Sequence, residues 1–588
     1  MRIAVLAVFC LMALQAEEYT LGSDSQPQAG VPKGIVTKHK LEPGKFYPGT
    51  PHDYSIYVPS QYDPAKPAPF MIFLDGSGAL RDNVRVPVVF DNLISKRELP
   101  PLIGIFVDPG VLPAISDQAQ NRFERVFEYD SLSGRYANFL VEELVPAVAK
   151  TYNLSRDPND RGIYGVSTGA VGAFAAAWNR PDQFRRVLTL IGTFVAMKGA
   201  DGLPALIRRT EPKPIRIFLQ AGKNDHVVPS QPWGTFYAGS WRINNQVMYE
   251  AFQFAGYDSK LVIGDDGHSS RHGAAILPDA LRWLWRDHPK PIVVREPASM
   301  SEADWDPRGK VYSTVSADKP WEQVGETYGS VTNPASDRDG NVFFTDPRSN
   351  RIYKSHADGK VTLFKDHSGG ATALAVGPDA RVYASQPARR RIVSYGEGGD
   401  EKVVAQNVEA SAIAITSRGA IYFADAVHKT VGFIDAGKTR IAYRGGDVAV
   451  PSAIALSPDQ AMVVVTDGQA RFSWSFQIAQ DGSLINGEPF YRLEMPETGW
   501  MSNAAGVAFD TLGQVYFATA LGIQVCEANG RVAQVLNSPE RGRLSGLAFA
   551  GKDLNWLYVA EGGKLFRRPV KVKGASAWSP LKPPKPPL

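Results

Sequence analysis

Cysteine is nearly absent from this chain. Its 588 residues include two cysteines, Cys10 and Cys526, and Cys10 lies in an apolar stretch at the N-terminus. If that stretch is removed, the mature chain keeps a single thiol. An internal disulfide and a cysteine-based metal cluster are then both excluded.

Long hydrophobic runs are scarce as well. One apolar run extends from Ile3 to Leu14 after the positive charge of Arg2, and it is too short to cross a bilayer as a helix. This arrangement predicts a signal peptide over residues 1–16, cleaved after Ala16, and no transmembrane segment. We expect the mature chain to be exported to the periplasm or the extracellular space.

A marked excess of charge of either sign is also missing. The chain has 64 Lys and Arg against 60 Asp and Glu, a net charge of +4. The densest basic cluster is 389–391, and three cations on a predicted strand are typical of a solvated sheet edge. No basic stripe of the kind that nucleic-acid binding needs is evident, so a nucleic-acid partner is not expected.

The first half of the chain alternates short apolar strands with helical patterns. Residues 54–58 alternate as a half-buried strand does, and 69–74 is a continuous apolar run that stops at Asp75. Residues 136–152 have helical periodicity, and an Ala-rich segment follows Gly169. Buried strands that alternate with helices predict an α/β fold with a mostly parallel sheet.

A recurring strand motif dominates the second half. The first copy is Val342-Phe-Phe-Thr-Asp346, and the second positions of six copies are 343, 383, 422, 464, 516 and 558, which are 40, 39, 42, 52 and 42 residues apart. A strand that recurs at this period, with no helical pattern between copies, is the signature of a β-propeller, and six copies predict six blades. An irregular β-sandwich is the alternative.

These patterns predict a multidomain chain of α/β and all-β parts. The predicted boundaries are a signal peptide over 1–16, an α/β domain over 17–290, a linker over 291–320, a six-bladed propeller over 321–575 and a Pro-rich tail over 576–588.

A candidate nucleophile lies in the α/β domain, in Gly165-Val166-Ser167-Thr168-Gly169. A short apolar strand precedes this G-x-S-x-G pattern and an Ala-rich helix follows it, which is the context of a nucleophile elbow. The backbone N–H of Thr168 would then be one oxyanion donor, and the turn Gly76-Ser77 would give the second.

A serine nucleophile needs a base and an orienting acid. Asp225 follows a predicted strand and is the leading acid, with Asp265 and Asp266 as alternatives. His268 follows the next strand and is the leading base, with His272 and His226 as alternatives. The predicted order is therefore serine, acid, histidine.

Residues 45–288 resemble the enterochelin-esterase-like α/β-hydrolases. The resemblance rests on Asp157-Pro-Asn-Asp-Arg-Gly-Ile-Tyr-Gly-Val-Ser-Thr-Gly169, on Trp178-Asn-Arg-Pro-Asp-Gln-Phe184 and on Leu277-Pro-Asp-Ala-Leu-Arg-Trp-Leu-Trp285. It implies an α/β-hydrolase sandwich, places Asp225 and His268 on the family's acid and base motifs, and implies esters of siderophores, sugars or phenolic acids as substrates. Ala170 departs from the family, which often has glycine there.

Aromatic residues between acid and base are candidate substrate contacts. Trp233 and Trp241, with Phe236 and Tyr237 near them, could stack on a sugar or phenolic ring, or form a packed cap.

Residues 325–570 resemble the gluconolactonase / senescence-marker-protein family, through Asp339-Gly-Asn-Val-Phe-Phe-Thr-Asp346 and Leu456-Ser-Pro-Asp459. That family holds one divalent cation at the propeller axis with a Glu, an Asn and an Asp. The matching segments here are 332–334 (Thr-Asn-Pro), 451–453 (Pro-Ser-Ala) and 504–506 (Ala-Ala-Gly), with Ser411 at a further polar position. The carboxylates are missing, so we predict no metal site and no other cofactor.

The leading hypothesis is an exported serine esterase that acts on a small-molecule or carbohydrate ester, with a non-catalytic propeller that holds a polymer or a partner. One alternative is a metal-dependent lactonase in the propeller. The other is a binding protein in which neither domain is catalytic.

Overall fold

A computed structural model describes residues 19–225, 238–294, 296 and 309–584 of the chain. The predicted signal peptide, residue 295 and residues 297–308 of the predicted linker, and the end of the Pro-rich tail lie outside these residues. The chain divides into two compact units, the first Met1–Arg208 with Pro212–Val294, the second Arg209–Glu211 with Arg295–Leu588. No helix in the described part has the length and hydropathy needed to cross a bilayer.

The first unit is built on an eight-stranded sheet in the order β1-β2-β4-β3-β7-β8-β9-β10. Neighbouring strands from β4 to β10 are parallel, whereas β1 pairs with β2, and β2 with β4, in antiparallel register. Strands β5 and β6 form a separate ribbon. The strands are β1 Ile35–Leu41, β2 His52–Val58, β3 Phe70–Leu74, β4 Ile103–Val107, β5 Val111–Leu112, β6 Arg122–Phe123, β7 Arg161–Val166, β8 Arg186–Leu190, β9 Arg216–Gly222 and β10 Asp258–Gly264.

Helices cover both faces of this sheet. Strand β3 shows why: Phe70, Ile72 and Leu74 belong to one apolar core and Met71 and Phe73 to the other, and all five are fully buried. A strand buried on both faces reads as a continuous apolar run, as this one does. The helices are α1 Gly76–Ala79, α2 Val86–Ser95, α3 Arg125–Tyr129, α4 Arg135–Phe139, α5 Val145–Ala149, α6 Thr168–Asn179, α7 Leu203–Arg209, α8 Trp241–Phe254, α9 Ser270–Ala275 and α10 Leu277–Trp285.

The helix expected over 136–152 is interrupted by a wider turn. A π-helical segment, Leu140–Leu144, separates α4 from α5, and helical structure ends at Ala149. Pro146 has no N–H to donate to the carbonyl four residues earlier, and its ring would collide with that carbonyl, so regular α-helical bonding cannot run through this point.

The second unit is a six-bladed β-propeller, as the repeat predicted. Its six sheets each have four antiparallel strands, and a short helix, α11 Gly309–Tyr312, precedes them. The strands are β11 Glu322–Val324, β12 Thr332–Ser336, β13 Val342–Asp346, β14 Arg351–Ser355, β15 Val361–Asp366, β16 Ala373–Val376, β17 Val382–Gln386, β18 Arg391–Tyr395, β19 Glu401–Gln406, β20 Ala412–Ile415, β21 Ile421–Asp425, β22 Thr430–Asp435, β23 Lys438–Arg444, β24 Pro451–Leu456, β25 Met462–Asp467, β26 Phe472–Ile478, β27 Leu484–Arg492, β28 Gly506–Phe509, β29 Val515–Thr519, β30 Gly522–Cys526, β31 Val532–Leu536, β32 Leu544–Ala550, β33 Trp556–Glu561 and β34 Lys564–Pro569.

The propeller closes by sharing one sheet between its two ends. Strand β11, the first in the domain, adds to the outer edge of β34, and the sixth sheet has the order β11-β34-β33-β32. The six copies of the recurring motif are the second strands, counted outward from the axis, of the six sheets. The predicted fold class, an α/β-hydrolase sandwich followed by a six-bladed propeller, is confirmed.

Candidate active site

Ser167 lies on a sharp turn between β7 and α6. Its backbone angles are φ 57° and ψ −122°, a conformation that residues other than glycine rarely adopt. A Cβ atom on Gly165 would lie 1.9 Å from the carbonyl oxygen of Gly169, so the close crossing of strand and helix requires glycine there. The turn therefore has the geometry of a nucleophile elbow.

Asp225 and His268 are brought to this turn by the loops after β9 and β10. Nδ1 of His268 is 2.8 Å from Oδ1 and 3.0 Å from Oδ2 of Asp225, and Nε2 of His268 is 2.8 Å from Oγ of Ser167. Asp225 is fully buried, and the His268 side chain is 22% exposed. An imidazole held this way by a carboxylate can accept the serine proton at Nε2.

The alternative bases and acids have other surroundings. His272 is buried in α9, where Nδ1 contacts Gln220 Nε2 at 3.0 Å and Tyr19 stacks on the ring. Asp265 is exposed and pairs with Lys223. Asp266 accepts hydrogen bonds from Ser269 and Arg271, which hold its pKa below the ordinary value although burial opposes this. His226 lies outside the described residues.

The predicted oxyanion donors lie at two helix starts. Thr168 is the first residue of α6 and Gly76 the first of α1, and the first N–H groups of a helix have no partner within it. The N–H of Ser77 instead donates to Oδ1 of Asp108 at 2.9 Å. Ser77 is therefore engaged elsewhere, and the role of Gly76 and Thr168 as oxyanion donors stays a prediction.

An arginine that the sequence patterns did not identify lies beside the elbow. Arg125, at the start of α3, donates from Nε and Nη2 to the carboxylate of Asp75 at 2.7 and 2.8 Å, and from Nη2 to the carbonyl of Val166 at 3.3 Å. This bidentate pair fixes the residue that precedes Gly76. No motif or regular spacing marks Arg125, because its partner is 50 residues away in the chain.

Thr193 is a second residue that the sequence patterns missed. It is buried after β8, and its Oγ1 is 3.1 Å from Ser167 Oγ. Trp241 donates from its indole Nε1 to the same oxygen at 3.1 Å, and its ring meets the His268 ring edge-on with 5.9 Å between centroids. Trp241 is 2% exposed, and its predicted contact with substrate stays a prediction. Trp233 lies outside the described residues.

At two of the three positions where the resemblance leads one to expect metal ligands, the propeller has the hydroxyl groups of Thr332 and Ser452, and at the third it has Ala505. Ser411 and Ser545 carry hydroxyl groups at or next to the start of two other inner strands. These hydroxyls donate to backbone carbonyls of the next blade: Thr332 to Thr372 at 3.1 Å, Ser411 to Pro451 at 2.8 Å, Ser452 to Ala504 at 2.6 Å and Ser545 to Val331 at 2.6 Å. We call these four residues the hydroxyl ring. A divalent cation needs negative oxygen ligands, and these neutral hydroxyls already serve as inter-blade donors, so the site does not fit the metal.

Within the described residues, no group of three or more His, Cys, Asp or Glu side chains is placed to hold a metal ion.

The first unit has the fold of an α/β-hydrolase sandwich. In particular, residues 47–287 match the family model described as "Putative esterase", and residues 338–562 match the model described as "SMP-30/Gluconolactonase/LRE-like region". The esterase match, together with similarity to an enterobactin esterase, supports the conclusion that the chain is a hydrolase that acts on esters.

Two curated proteins are similar over the first unit. The Iron(III) enterobactin esterase of Dickeya dadantii is 25% identical over 246 residues, which are 39% of this chain and 50% of that protein. The uncharacterized protein YbbA of Bacillus subtilis is 20% identical over 196 residues, 33% of this chain and 73% of that one. The chain thus spans half the length of the characterised relative.

Solved structures resemble each unit in turn. A gluconolactonase from Xanthomonas campestris is 18% identical, with 44% of this chain and 92% of that one covered and a TM-score of 0.39. The enterobactin esterase of Shigella flexneri is 19% identical, with 44% and 62% covered and a TM-score of 0.34.

Proposed function

We propose that this protein is an exported serine esterase in which Ser167, His268 and Asp225 form the catalytic triad. The observation that carries the proposal is the continuous hydrogen-bonded series from Ser167 Oγ through His268 to Asp225, with 2.8 Å at each imidazole nitrogen. Its substrate is a carboxylic ester of a sugar, a phenolic acid or a siderophore.

The first half of the reaction is acylation. His268 takes the proton of Ser167 at Nε2 while Oγ attacks the ester carbonyl carbon, and Asp225 stabilises the imidazolium through Nδ1–H. The carbonyl oxygen becomes negative and lies against the N–H groups of Thr168 and Gly76. His268 then gives the proton to the departing alcohol.

The second half is deacylation. Water attacks the acyl carbon after losing a proton to His268, the bond from that carbon to Ser167 Oγ breaks, and the proton returns to Oγ. The products are a carboxylic acid and the free serine. Apart from the attacking water, each step uses groups of this chain.

We further propose that the propeller does not catalyse lactone hydrolysis and instead holds a polymer or a partner. The hydroxyl ring supports this, because its four side chains donate to backbone carbonyls between blades and carry no negative charge. Lactone hydrolysis of the family's type depends on a bound cation that activates water.

The test is hydrolysis of short-chain and aromatic p-nitrophenyl esters by the mature chain without added metal. Ser167→Ala is expected to lower kcat/KM by roughly four orders of magnitude or more, because it removes the nucleophile. Ser95→Ala, at the exposed end of α2, is the matched control and should behave as wild type.

A chelator distinguishes the two domains in the same assay. Wild-type activity should be unaffected by EDTA. Activity that persists in Ser167→Ala but disappears with EDTA would overturn the proposal and assign catalysis to the propeller.

A further inference from the structure

Thr193 makes two separate contacts with the proposed nucleophile. Its backbone N–H donates to the carbonyl oxygen of Ser167 at 3.1 Å, and its Oγ1 lies 3.1 Å from Ser167 Oγ. The side chain is 3% exposed. Thr193 therefore contacts both the backbone carbonyl and the side-chain oxygen of Ser167, the residue whose backbone is strained at the elbow.

The direction of the hydroxyl hydrogen bonds follows from the neighbours. An indole Nε1 can only donate, so Thr193 Oγ1 accepts the hydrogen bond from Trp241. The Ser167 proton must point to Nε2 of His268 if the imidazole is to act as base. The remaining proton, on Thr193, is then the one shared between Thr193 Oγ1 and Ser167 Oγ.

We propose that Thr193 is a positioning residue, oriented by Trp241, whose hydroxyl donates to Ser167 Oγ and so directs the serine proton to His268. Each group then donates to the next in one direction: Trp241 to Thr193, Thr193 to Ser167, and Ser167 to His268. Trp241 also packs edge-on against His268, so one indole fixes both groups that contact the nucleophile. This inference rests on the proposed function.

The same hydrogen bond has a role in each half of the reaction. During attack, Oγ forms its bond to the acyl carbon and gives its proton to Nε2, while Thr193 holds the oxygen in place. During deacylation, the bond from carbon to Oγ breaks, negative charge returns to Oγ, and the hydroxyl of Thr193 stabilises it until His268 returns the proton. We therefore expect an effect on kcat rather than on substrate binding.

The experiment compares Thr193→Val with Thr193→Ser. Valine keeps the shape and removes the hydroxyl, and kcat should fall about tenfold with KM within twofold of wild type, since one hydrogen bond is lost. Serine keeps the hydroxyl and should restore most of the activity. The rate at which a fluorophosphonate labels Ser167, followed by mass spectrometry, should fall with kcat.

A double-mutant cycle tests the role of Trp241. Trp241→Phe keeps a ring but removes the N–H, and we expect kcat to fall about threefold. The double variant Thr193→Val, Trp241→Phe should be no slower than Thr193→Val, because the indole acts through the hydroxyl.

Several results would overturn the inference. One is a kcat and a labelling rate in Thr193→Val that equal those of wild type. A second is a loss of kcat in Thr193→Ser as large as that in Thr193→Val. A third is a double variant whose loss of kcat is the full product of the two single losses. In all three, Ser167→Ala would still be inactive and the proposed function would stand. Failure of the fluorophosphonate to label Ser167 in the wild-type chain would instead remove the proposed function and this inference together.

Discussion

At the scale of single residues, Ser167 shows how the surrounding chain holds a strained conformation. A non-glycine residue at φ 57° and ψ −122° costs of order 1–3 kcal/mol. Its N–H donates to Leu190, and its carbonyl accepts from the N–H groups of Ala170 and Thr193. Three backbone bonds from two other segments therefore keep the serine oxygen above the sheet.

The choice between neighbouring carboxylates can be tested residue by residue. Asp225→Asn should lower kcat by roughly three to four orders of magnitude with little change in KM, because the amide no longer stabilises the His268 imidazolium. Asp265→Asn is the matched control, since Asp265 is exposed and pairs with Lys223. Equal losses of ester hydrolysis in both variants would argue against Asp225 as the orienting acid.

The sequence predicted which residues would meet at this site, but not every contact they make. Ser167, Asp225 and His268 each follow a strand of one parallel sheet, and residues at the carboxyl ends of such strands converge. Thr193 and Arg125 could not be found in this way. Their contacts depend on side-chain rotamers and on loops with no periodic pattern. The catalytic roles of all these residues stay predictions.

At the scale of elements, one turn between propeller strands is built around a buried carboxylate. Asp510, in the turn from β28 to β29, is fully buried, and its Oδ1 accepts the N–H groups of Leu512 and Gln514 at 2.9 Å each. Burial raises the pKa of this carboxyl group from 3.8 to about 6, although the backbone hydrogen bonds act in the opposite direction.

That raised pKa predicts how Asp510 affects stability as the pH changes. The folded chain binds the proton more tightly than the unfolded chain, so ionised Asp510 destabilises the fold above about pH 6, and the penalty disappears as the pH falls below 3.8. Asp510→Asn keeps an acceptor oxygen without the charge. We expect it to be more stable than wild type by about 2 kcal/mol at neutral pH and equal to it at the acid end.

Chemical denaturation from pH 4 to pH 8 measures this difference. The control is Asp339→Asn in the first blade, where the side chain is exposed. A stability difference for Asp510→Asn that is constant with pH, or that grows towards acid pH, would contradict the expectation.

Element boundaries were less predictable than element types. The period of the apolar residues identified helix within 136–152, but the position of Pro146 decides where the α-helical bonds give way to a π turn. The recurring propeller strand was easier to identify, because the second strand of each blade is buried along nearly its whole length and so repeats the same apolar residues.

At the scale of the whole molecule, the chain contains two units that resemble different families. Whether the second unit binds a divalent cation can be tested on the full chain. If the hydroxyl ring has replaced a cation site, calcium or zinc should leave the melting temperature of the full chain unchanged, and so should EDTA. A cation present at a hundredfold excess over its Kd would stabilise the fold by about 2.7 kcal/mol, which a thermal scan readily detects. An upward shift that saturates at one metal per chain would contradict the expectation.

The sequence identified both units through different signals. The α/β unit was identified from apolar runs that end at polar loops, and the propeller from a strand motif that recurs about every forty residues. The predicted domain boundaries stay predictions, and residues 295 and 297–308 of the junction between the units lie outside the described residues.

The reaction rate of the single thiol in the second unit can measure how often one blade opens. Cys526 in β30 is fully buried, and burial raises the pKa of its thiol well above the ordinary value. A disulfide reagent reacts with thiolate, so Cys526 can react only when the fifth blade separates. In a preparation that starts at residue 17, the rate of thiol modification would report how often that blade opens, and whether a bound polymer or partner slows it.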